Sequence, residues 1–310
     1  MNPLGINGII PPVLTLYNPD DSVDEPSMRR LIRFLVDNGA AALFAMGSSA
    51  EFPLLSDVER RQITELIMDE AAGAVPVLMG TIAEGPGRVL ELAKDAAAIG
   101  ATAIVVTAPY YFGWNVTEME RYLRRIADEA PLPVVLYDIP GRTQNPIAID
   151  TILALSEHPN VVGLKDTTTD GGRFVNMLLQ LEGRDDFALY QGSEPLGLPS
   201  FILGADGAVF SLANIAPKTS VALYDTCVAG DIEEGRKLQA LYNRLFALFT
   251  ILDPGTGSIG GGLGGLKVAL ELLGISGPKV RFPSNDTPDG AREKVAAVLR
   301  TVPETAEMLG

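Results

Sequence analysis

Short apolar runs alternate along the chain with stretches in which apolar residues recur every three or four positions. An apolar run bounded by turn residues reads as a buried strand, and an apolar stripe of helical spacing reads as a helix laid over such strands. The pattern predicts strands over 8–15, 41–47, 76–82, 103–109, 133–140, 161–167, 187–192 and 207–213. It predicts helices over 26–38, 57–72, 87–99, 117–129, 150–156, 171–181 and 217–229. Ser56 offers a capping residue with Glu59 in the first turn that follows, and Asn115 does the same with Glu118. Eight near-even strand–helix units are what a (β/α)8 TIM barrel requires. A doubly wound sheet is the competing architecture, and the evenness favours closure. Beyond residue 230 the pattern turns helical throughout, over 232–252, 263–273 and 291–302. The expectation is an α/β chain with a catalytic barrel over 1–230 and a C-terminal helical extension, 231–310, packed on it.

A barrel of this kind carries its chemistry at the carboxyl ends of its strands. The polar residues expected there are Ser48, Ser49, Tyr110, Tyr111, Tyr137, Lys165, Ser193, Glu194 and Ser211. Most are ordinary taken singly, since a tyrosine at a strand end is more often a core residue with its hydroxyl at the surface. Lys165 is less so. It ends the run Val161-Val162-Gly163-Leu164, which reads as a strand buried on both faces, where a charged amine loses its solvation. The plain alternative is a strand-end lysine whose ammonium reaches water or pairs with Asp166.

Composition closes several routes. With 310 residues, 47% of them hydrophobic, the chain can bury a large core. A formal charge of −15 argues against a nucleic-acid partner. No apolar segment approaches the roughly 18 residues of a membrane span, so no membrane partner is expected. The N-terminus lacks a basic stretch followed by an apolar one, and the single cysteine, Cys227, forms no internal disulfide; both fit a cytoplasmic protein. One histidine and one cysteine leave no His/Cys metal site, and no metal is expected. His158, in a helix-to-strand loop, reads as a solvated cap residue. Gly255-Thr-Gly-Ser-Ile-Gly260 matches a dinucleotide fingerprint literally, but it follows a helix with no βαβ unit around it and reads as a connector. Gly262-Leu-Gly-Gly-Leu-Lys267 lacks the ending of a phosphate loop.

An amine nucleophile remains. A neutral primary amine condenses with a ketone to an iminium, which draws electrons from the neighbouring carbon and permits C–C cleavage or the reverse addition. Apolar neighbours such as Val162, Leu164 and Leu136 are expected to favour the uncharged amine by desolvation. The other six lysines, at 94, 218, 237, 267, 279 and 294, lie in helical or loop patterns where the ammonium should stay solvated. Lys165 is thus the candidate nucleophile, with Tyr137 one strand away as proton relay. No cofactor is called for, because the covalent lysine imine with substrate does that work.

These residues resemble the pyruvate-dependent class I lyases that include dihydrodipicolinate synthase, N-acetylneuraminate lyase and 2-keto-3-deoxygluconate aldolase. The likeness runs from about Gly8 to Phe282. It rests on Gly8-Ile-Ile-Pro-Pro, Gly47-Ser-Ser-Ala-Glu51-Phe, Ala108-Pro-Tyr-Tyr111, Leu136-Tyr-Asp-Ile-Pro140, Val162-Gly-Leu-Lys-Asp-Thr167 and Gly204-Ala-Asp-Gly207. The resemblance implies Lys165 as the Schiff-base residue, Tyr137 as the relay, and Ser48 and Ser49 as the seat of the pyruvate carboxylate. It implies that Tyr111 completes a relay with Ser48 across the interface of a homodimer or homotetramer. Val209 would line the pyruvyl pocket, while Glu194 and Ser211 stand where substrate hydroxyls are contacted in the sugar-acid branch.

Two branches compete. Gly47-Ser-Ser-Ala-Glu51, Glu51-Phe-Pro-Leu-Leu55 and Lys165-Asp-Thr167 look more like the aldolases of 2-keto-3-deoxy sugar acids and of 4-hydroxy-2-oxoglutarate. Tyr137-Asp-Ile-Pro-Gly-Arg142-Thr143 looks like a dihydrodipicolinate synthase, which condenses pyruvate with aspartate semialdehyde and uses the arginine there to grip its carboxylate. A guanidinium suits any distal carboxylate. The plain alternative for Arg142 is a surface ion pair with Asp138. The aldolase is the first expectation, with pyruvate and an aldehyde as small-molecule partners. The synthase comes second, a hydratase-aldolase or dehydratase relative follows, and a non-catalytic binding protein on the same fold is a minor alternative.

Overall fold

Eight parallel strands make one sheet in the computed structural model, which describes residues 2–252, 262–284 and 287–310. They are β1 (Gly8–Ile9), β2 (Leu43–Ala45), β3 (Val77–Gly80), β4 (Ala103–Thr107), β5 (Val134–Asp138), β6 (Val161–Asp166), β7 (Ala188–Gln191) and β8 (Gly207–Ala208). Their order is β1-β8-β7-β6-β5-β4-β3-β2. Backbone bonds from Ala41 N to Ile9 O (2.8 Å) and from Val13 N to Phe44 O (2.9 Å) bring the first strand against β2 and close the ring. The fold is a (β/α)8 TIM barrel with further helices after it. The first strand is shorter than its apolar run predicts because Pro11 and Pro12 have no N–H to donate. Among the described residues no helix is long and apolar enough to cross a membrane.

Alternation along the strands divides the core in two. Phe44, Leu78, Val105, Val135, Tyr137 and Tyr190 fill the barrel interior. Their strand neighbours, among them Leu43, Ile104, Leu136 and Leu164, pack outward against the helices. This corrects the sequence reading for Leu136 and Leu164, two of the three residues expected to shield the amine of Lys165, while the third, Val162, belongs to the interior cluster. Side chains alternate with period two, so Tyr137 and Lys165 facing inward turn Leu136 and Leu164 outward. Gly163 shares the inward face of Lys165, and a Cβ there would stand 2.7 Å from the carbonyl oxygen of Ala188.

The helices start where the capping residues place them. Ser56 and Glu59 form a reciprocal capping box on Asp57–Ala71, and Asn115 with Glu118 does so on Val116–Glu129. Helix Ile232–Leu245 is shorter than expected. It tightens into the 3-10 turn Phe246–Phe249 because helix Gly262–Leu272 lies directly on that turn: a Cβ at Gly265 would meet Leu248 O at 2.0 Å. The glycines of 262–265 therefore serve close packing, while Gly255–Gly260 lies outside the described residues. Short helices at Pro140–Thr143, Gly197–Ile202 and Pro303–Leu309, which carry too few turns to show a period, are absent from the sequence reading.

Just beyond the strand ends, Arg173 ties β5 to β6. Its Nη2 donates to Asp138 Oδ2 and to Ile147 O, both at 2.7 Å, and its Nε lies 3.3 Å from Asp166 Oδ2. Burial pushes the Asp138 carboxyl up to about 7 against the pull of the Arg173 guanidinium and the Ile147 N–H, with Asp166 adding to the rise. Asp166 is occupied with Thr168 and Arg173, not with Lys165. Removing the cation leaves two buried carboxylates without their cationic partner, held only by the Ile147 N–H and by Thr168. Arg173→Ala is therefore expected to lower stability by about 3–5 kcal/mol in urea unfolding; a loss under about 1 kcal/mol would show that the network is not a structural tie.

Candidate active site

In the parallel register of β5, β6 and β7, Tyr137 stands beside Lys165, and Lys165 beside Tyr190. The Lys165 side chain runs up the barrel interior, only 6% exposed, and ends with Nζ 3.9 Å from the centroid of the Tyr137 ring and 5.0 Å from that of Phe44. The two rings meet edge to face, with centroids 6.2 Å apart at 82°. Among the described residues no carboxylate pairs with this amine. Ring faces favour a nearby cation only weakly and offer this side chain no acid to pair with.

The amine opens into a cavity of about 500 Å³ at the carboxyl ends of the strands. Ser48, Ser49, Tyr137, Arg142, Lys165, Glu194, Val209 and Ser211 all line it. Ser48 and Ser49 sit on a 3-10 turn after β2, and Ser49 Oγ lies 3.0 Å from Ser211 Oγ. The Ser211 N–H donates to Glu194 Oε1 at 2.9 Å, so one polar chain runs from the serine turn to Glu194. Burial raises the Glu194 carboxyl above its ordinary range, opposed by backbone N–H donors and by the amine of Lys165. Arg142 is exposed at the mouth, on the helix Pro140–Thr143. It does not pair with Asp138, which Arg173 holds instead. A second groove, about 670 Å³, lies among charged helix residues such as Arg29, Arg61 and Glu65 and shares no lining residue with the cavity.

Tyr111 is not in this cavity. It is 79% exposed and packs edge to face on Phe112, while Tyr110 does line the cavity. The backbone N–H groups of both tyrosines donate to the Glu84 carboxylate, from 3.1 to 3.3 Å. His158 is not solvated as expected. Its side chain is 12% exposed, with Nε2 3.0 Å from Asp128 Oδ1 and Nδ1 accepting from Asn160 N, so it pins the loop before β6.

Sequence reasoning missed three features of the site. Phe44, half of the amine's aromatic seat, is hidden in an apolar strand with nothing to set it apart. Thr107 and Thr167 line the cavity with buried hydroxyls that have no partner among the described residues. Lys267, expected in solvent, is fully buried and paired with the fully buried Glu51. One signal was available: Lys267 lies in Gly262–Leu272, whose residues are apolar almost all round, and such a helix is buried on every face.

A family model described as the dihydrodipicolinate synthetase family matches residues 5–302. The chain belongs to that family. It is accordingly a pyruvate-dependent lyase. A 4-hydroxy-tetrahydrodipicolinate synthase from Methanospirillum hungatei is 33% identical over 295 residues, covering 94% of this chain and 98% of that one. A dihydrodipicolinate synthase structure from Bacteroides thetaiotaomicron superposes with a TM-score of 0.91 at 32% identity, over 97% of this chain and 100% of the other. YagE from E. coli K12, a prophage protein of the same family solved in complex with pyruvate, gives 0.89 at 28% identity, over 97% and 99%.

The raised carboxyl of Glu194 makes a pH-dependent contribution with a definite sign. A carboxyl held above its ordinary 4.5 in the folded state favours folding fully below that pH. The contribution is lost as pH rises through the folded value, where the buried carboxylate must ionise. Glu194→Gln keeps the acceptor for Ser211 N–H and removes the ionisation. Its Tm relative to the parent is therefore expected to rise between pH 5 and pH 8; an unchanged difference would mean that Glu194 titrates as if in solvent.

Proposed function

We propose that the protein is a class I aldolase that joins or splits a C–C bond to pyruvate through an imine at Lys165. The observation that supports it most is a buried amine, which no carboxylate of the described residues pairs with, set on the Tyr137 ring in a cavity at the strand ends. The neutral amine attacks C2 of the keto acid, and the carbinolamine loses water to give the iminium. In the cleavage direction a base takes the proton from the C4 hydroxyl, the C3–C4 bond breaks, and its electron pair moves to the iminium nitrogen. The aldehyde leaves, the enamine is protonated at C3, and water releases pyruvate and the amine. The Tyr137 hydroxyl carries these protons, with Ser48 next along the relay. Ser48 and Ser49 hold the pyruvate carboxylate by hydroxyl and backbone N–H, and Val209 packs on the pyruvyl methyl. The imine is the electron sink, so the reaction as written calls for no cofactor or metal. Tyr111, turned out into solvent, joins the relay from a second copy of the chain in a homodimer or homotetramer.

For the aldehyde partner, the buried carboxyl of Glu194 beside Ser211 supports a hydroxyl-bearing substrate, and Arg142 at the mouth supports a carboxylate at its far end. The reading is therefore an aldolase for a 2-keto-3-deoxy sugar acid or for 4-hydroxy-2-oxoglutarate. The second reading, condensation of pyruvate with aspartate semialdehyde, is favoured by Tyr137-Asp-Ile-Pro-Gly-Arg142 and by the names of relatives such as the Methanospirillum synthase. Together with the reducing compartment suggested by one cysteine, either activity suits a cytoplasmic enzyme.

Incubation with pyruvate and borohydride should leave a stable adduct on the Lys165 peptide, absent from Lys165→Ala; an unlabelled Lys165 peptide would end the imine reading. Tyr137→Phe should still fold and lose about 10²–10⁴-fold in kcat. Pyruvate release from the two aldol substrates, set against condensation with aspartate semialdehyde, separates the branches. Turnover only in the last would make the protein a synthase. Arg142→Ala should raise KM for the carboxylated partner about tenfold or more, and an unchanged KM would give Arg142 no part in binding.

A further inference from the structure

The fully buried Glu51–Lys267 pair is the strongest arrangement that the chemistry above leaves unused. Glu51 closes the 3-10 turn that carries Ser48 and Ser49, its N–H donating to Ser48 O at 3.1 Å. It then opens a second such turn, Phe52–Leu54, and between the two its backbone is left-handed, with φ of 55°. Its side chain is wholly buried and held at both oxygens. Oε1 takes the ammonium of Lys267, also wholly buried, and Oε2 accepts from the backbone N of Arg281 at 3.1 Å. Lys267 Nζ lies 4.4 Å from the centroid of the Tyr17 ring, whose other cationic neighbour, Arg281, is paired with Glu59 at 2.5 Å.

Two unfavourable features coincide at one residue. A non-glycine residue in the left-handed region persists only where its surroundings dictate it. A buried ion pair loses so much hydration that apolar residues of similar volume usually serve stability as well or better. What an apolar pair does not supply is direction. Two hydrogen-bonded oxygens fix both the position and the rotation of the turn, one to Lys267 of the helix Gly262–Leu272 and the other to Arg281 in the segment that follows it, both more than two hundred residues away in sequence. The cavity depends on that helix as well, since Leu263 lines it together with Phe246 and Phe249.

We infer that Glu51 and Lys267 are a positioning pair for the keto-acid carboxylate: they anchor the Ser48–Ser49 turn to the C-terminal helix, so that the helix after the barrel sets the affinity of the carboxylate seat. The inference rests on the reading that pyruvate forms an imine at Lys165 with its carboxylate on this turn. Neither residue touches substrate. Their effect falls on binding and leaves the chemistry at Tyr137 and Lys165 intact.

The test is the double variant Glu51→Gln with Lys267→Met, which leaves no lone buried charge and so is expected to fold. Borohydride trapping at Lys165 is measured against pyruvate concentration, alongside the urea midpoint. The expected result is a midpoint near that of the parent, a half-saturating pyruvate concentration raised about tenfold, and a maximal trapping rate within about threefold of the parent. A purely structural pair would move the midpoint and leave half-saturation unchanged, which would overturn the inference. A second measurement stands whether or not the variant folds: hydrogen exchange of the parent with and without saturating pyruvate. Slower exchange across residues 263–281 supports the tie between turn and helix, and unchanged exchange there overturns it. If the parent itself forms no adduct at any pyruvate concentration, the imine reading and this inference fall together. If the parent is trapped normally and the variant matches it, only the positioning role falls.

Discussion

Period-two alternation in a closed parallel barrel decides which side chains share the interior, and everything at the site follows from it. Once Tyr137 and Lys165 stand side by side in register on β5 and β6, both face inward and their apolar neighbours face the helices. A lysine so placed has aromatic faces around it, with Nζ 3.9 Å from the centre of one ring and 5.0 Å from another. The barrel thereby does two things for an amine. It withdraws the amine from water, and it fills the adjoining inward positions with groups that cannot neutralise it.

The treatment of other buried charges makes the contrast plain. Asp138 and Asp166 share Arg173, and Glu51 is matched to Lys267, each carboxylate satisfied by more than one donor. Buried charges are ordinarily paired in this way because an isolated one is costly. Lys165 has no salt-bridge partner among the described residues of the same structure. That exception falls where the strands end and a cavity opens, which is where a barrel enzyme places its reacting groups. The paired charges do the supporting work around it, one tying β5 to β6 and the other tying the serine turn to the C-terminal helix.

Much of this was legible in the sequence. Eight apolar runs spaced by amphipathic stretches gave the barrel, and the strand-end positions of Ser48, Tyr137, Lys165, Glu194 and Ser211 followed from it, since strand ends of a barrel share one rim. What stayed hidden has physical causes. The sequence offers Val162, Leu164 and Leu136 alike as the apolar seat, and only Val162 belongs to the interior cluster, because a run apolar on both faces does not announce which face is inward. Lys267 reads as solvated on residue type alone, although its helix is apolar almost all round. Tyr111 lies outside the cavity of its own chain, its ring turned onto Phe112 and its backbone N–H held by Glu84, a contact between residues 27 positions apart. Short helices such as Pro140–Thr143, which carries Arg142, are too brief to show a period.

A crystal of the protein soaked with pyruvate tests the central claim most directly. The account predicts continuous density from Nζ of Lys165 to C2 of the keto acid, with the carboxylate at the Ser48–Ser49 turn and the Tyr137 hydroxyl beside the new bond. Pyruvate bound without a covalent link, or linked to any other amine, would contradict it.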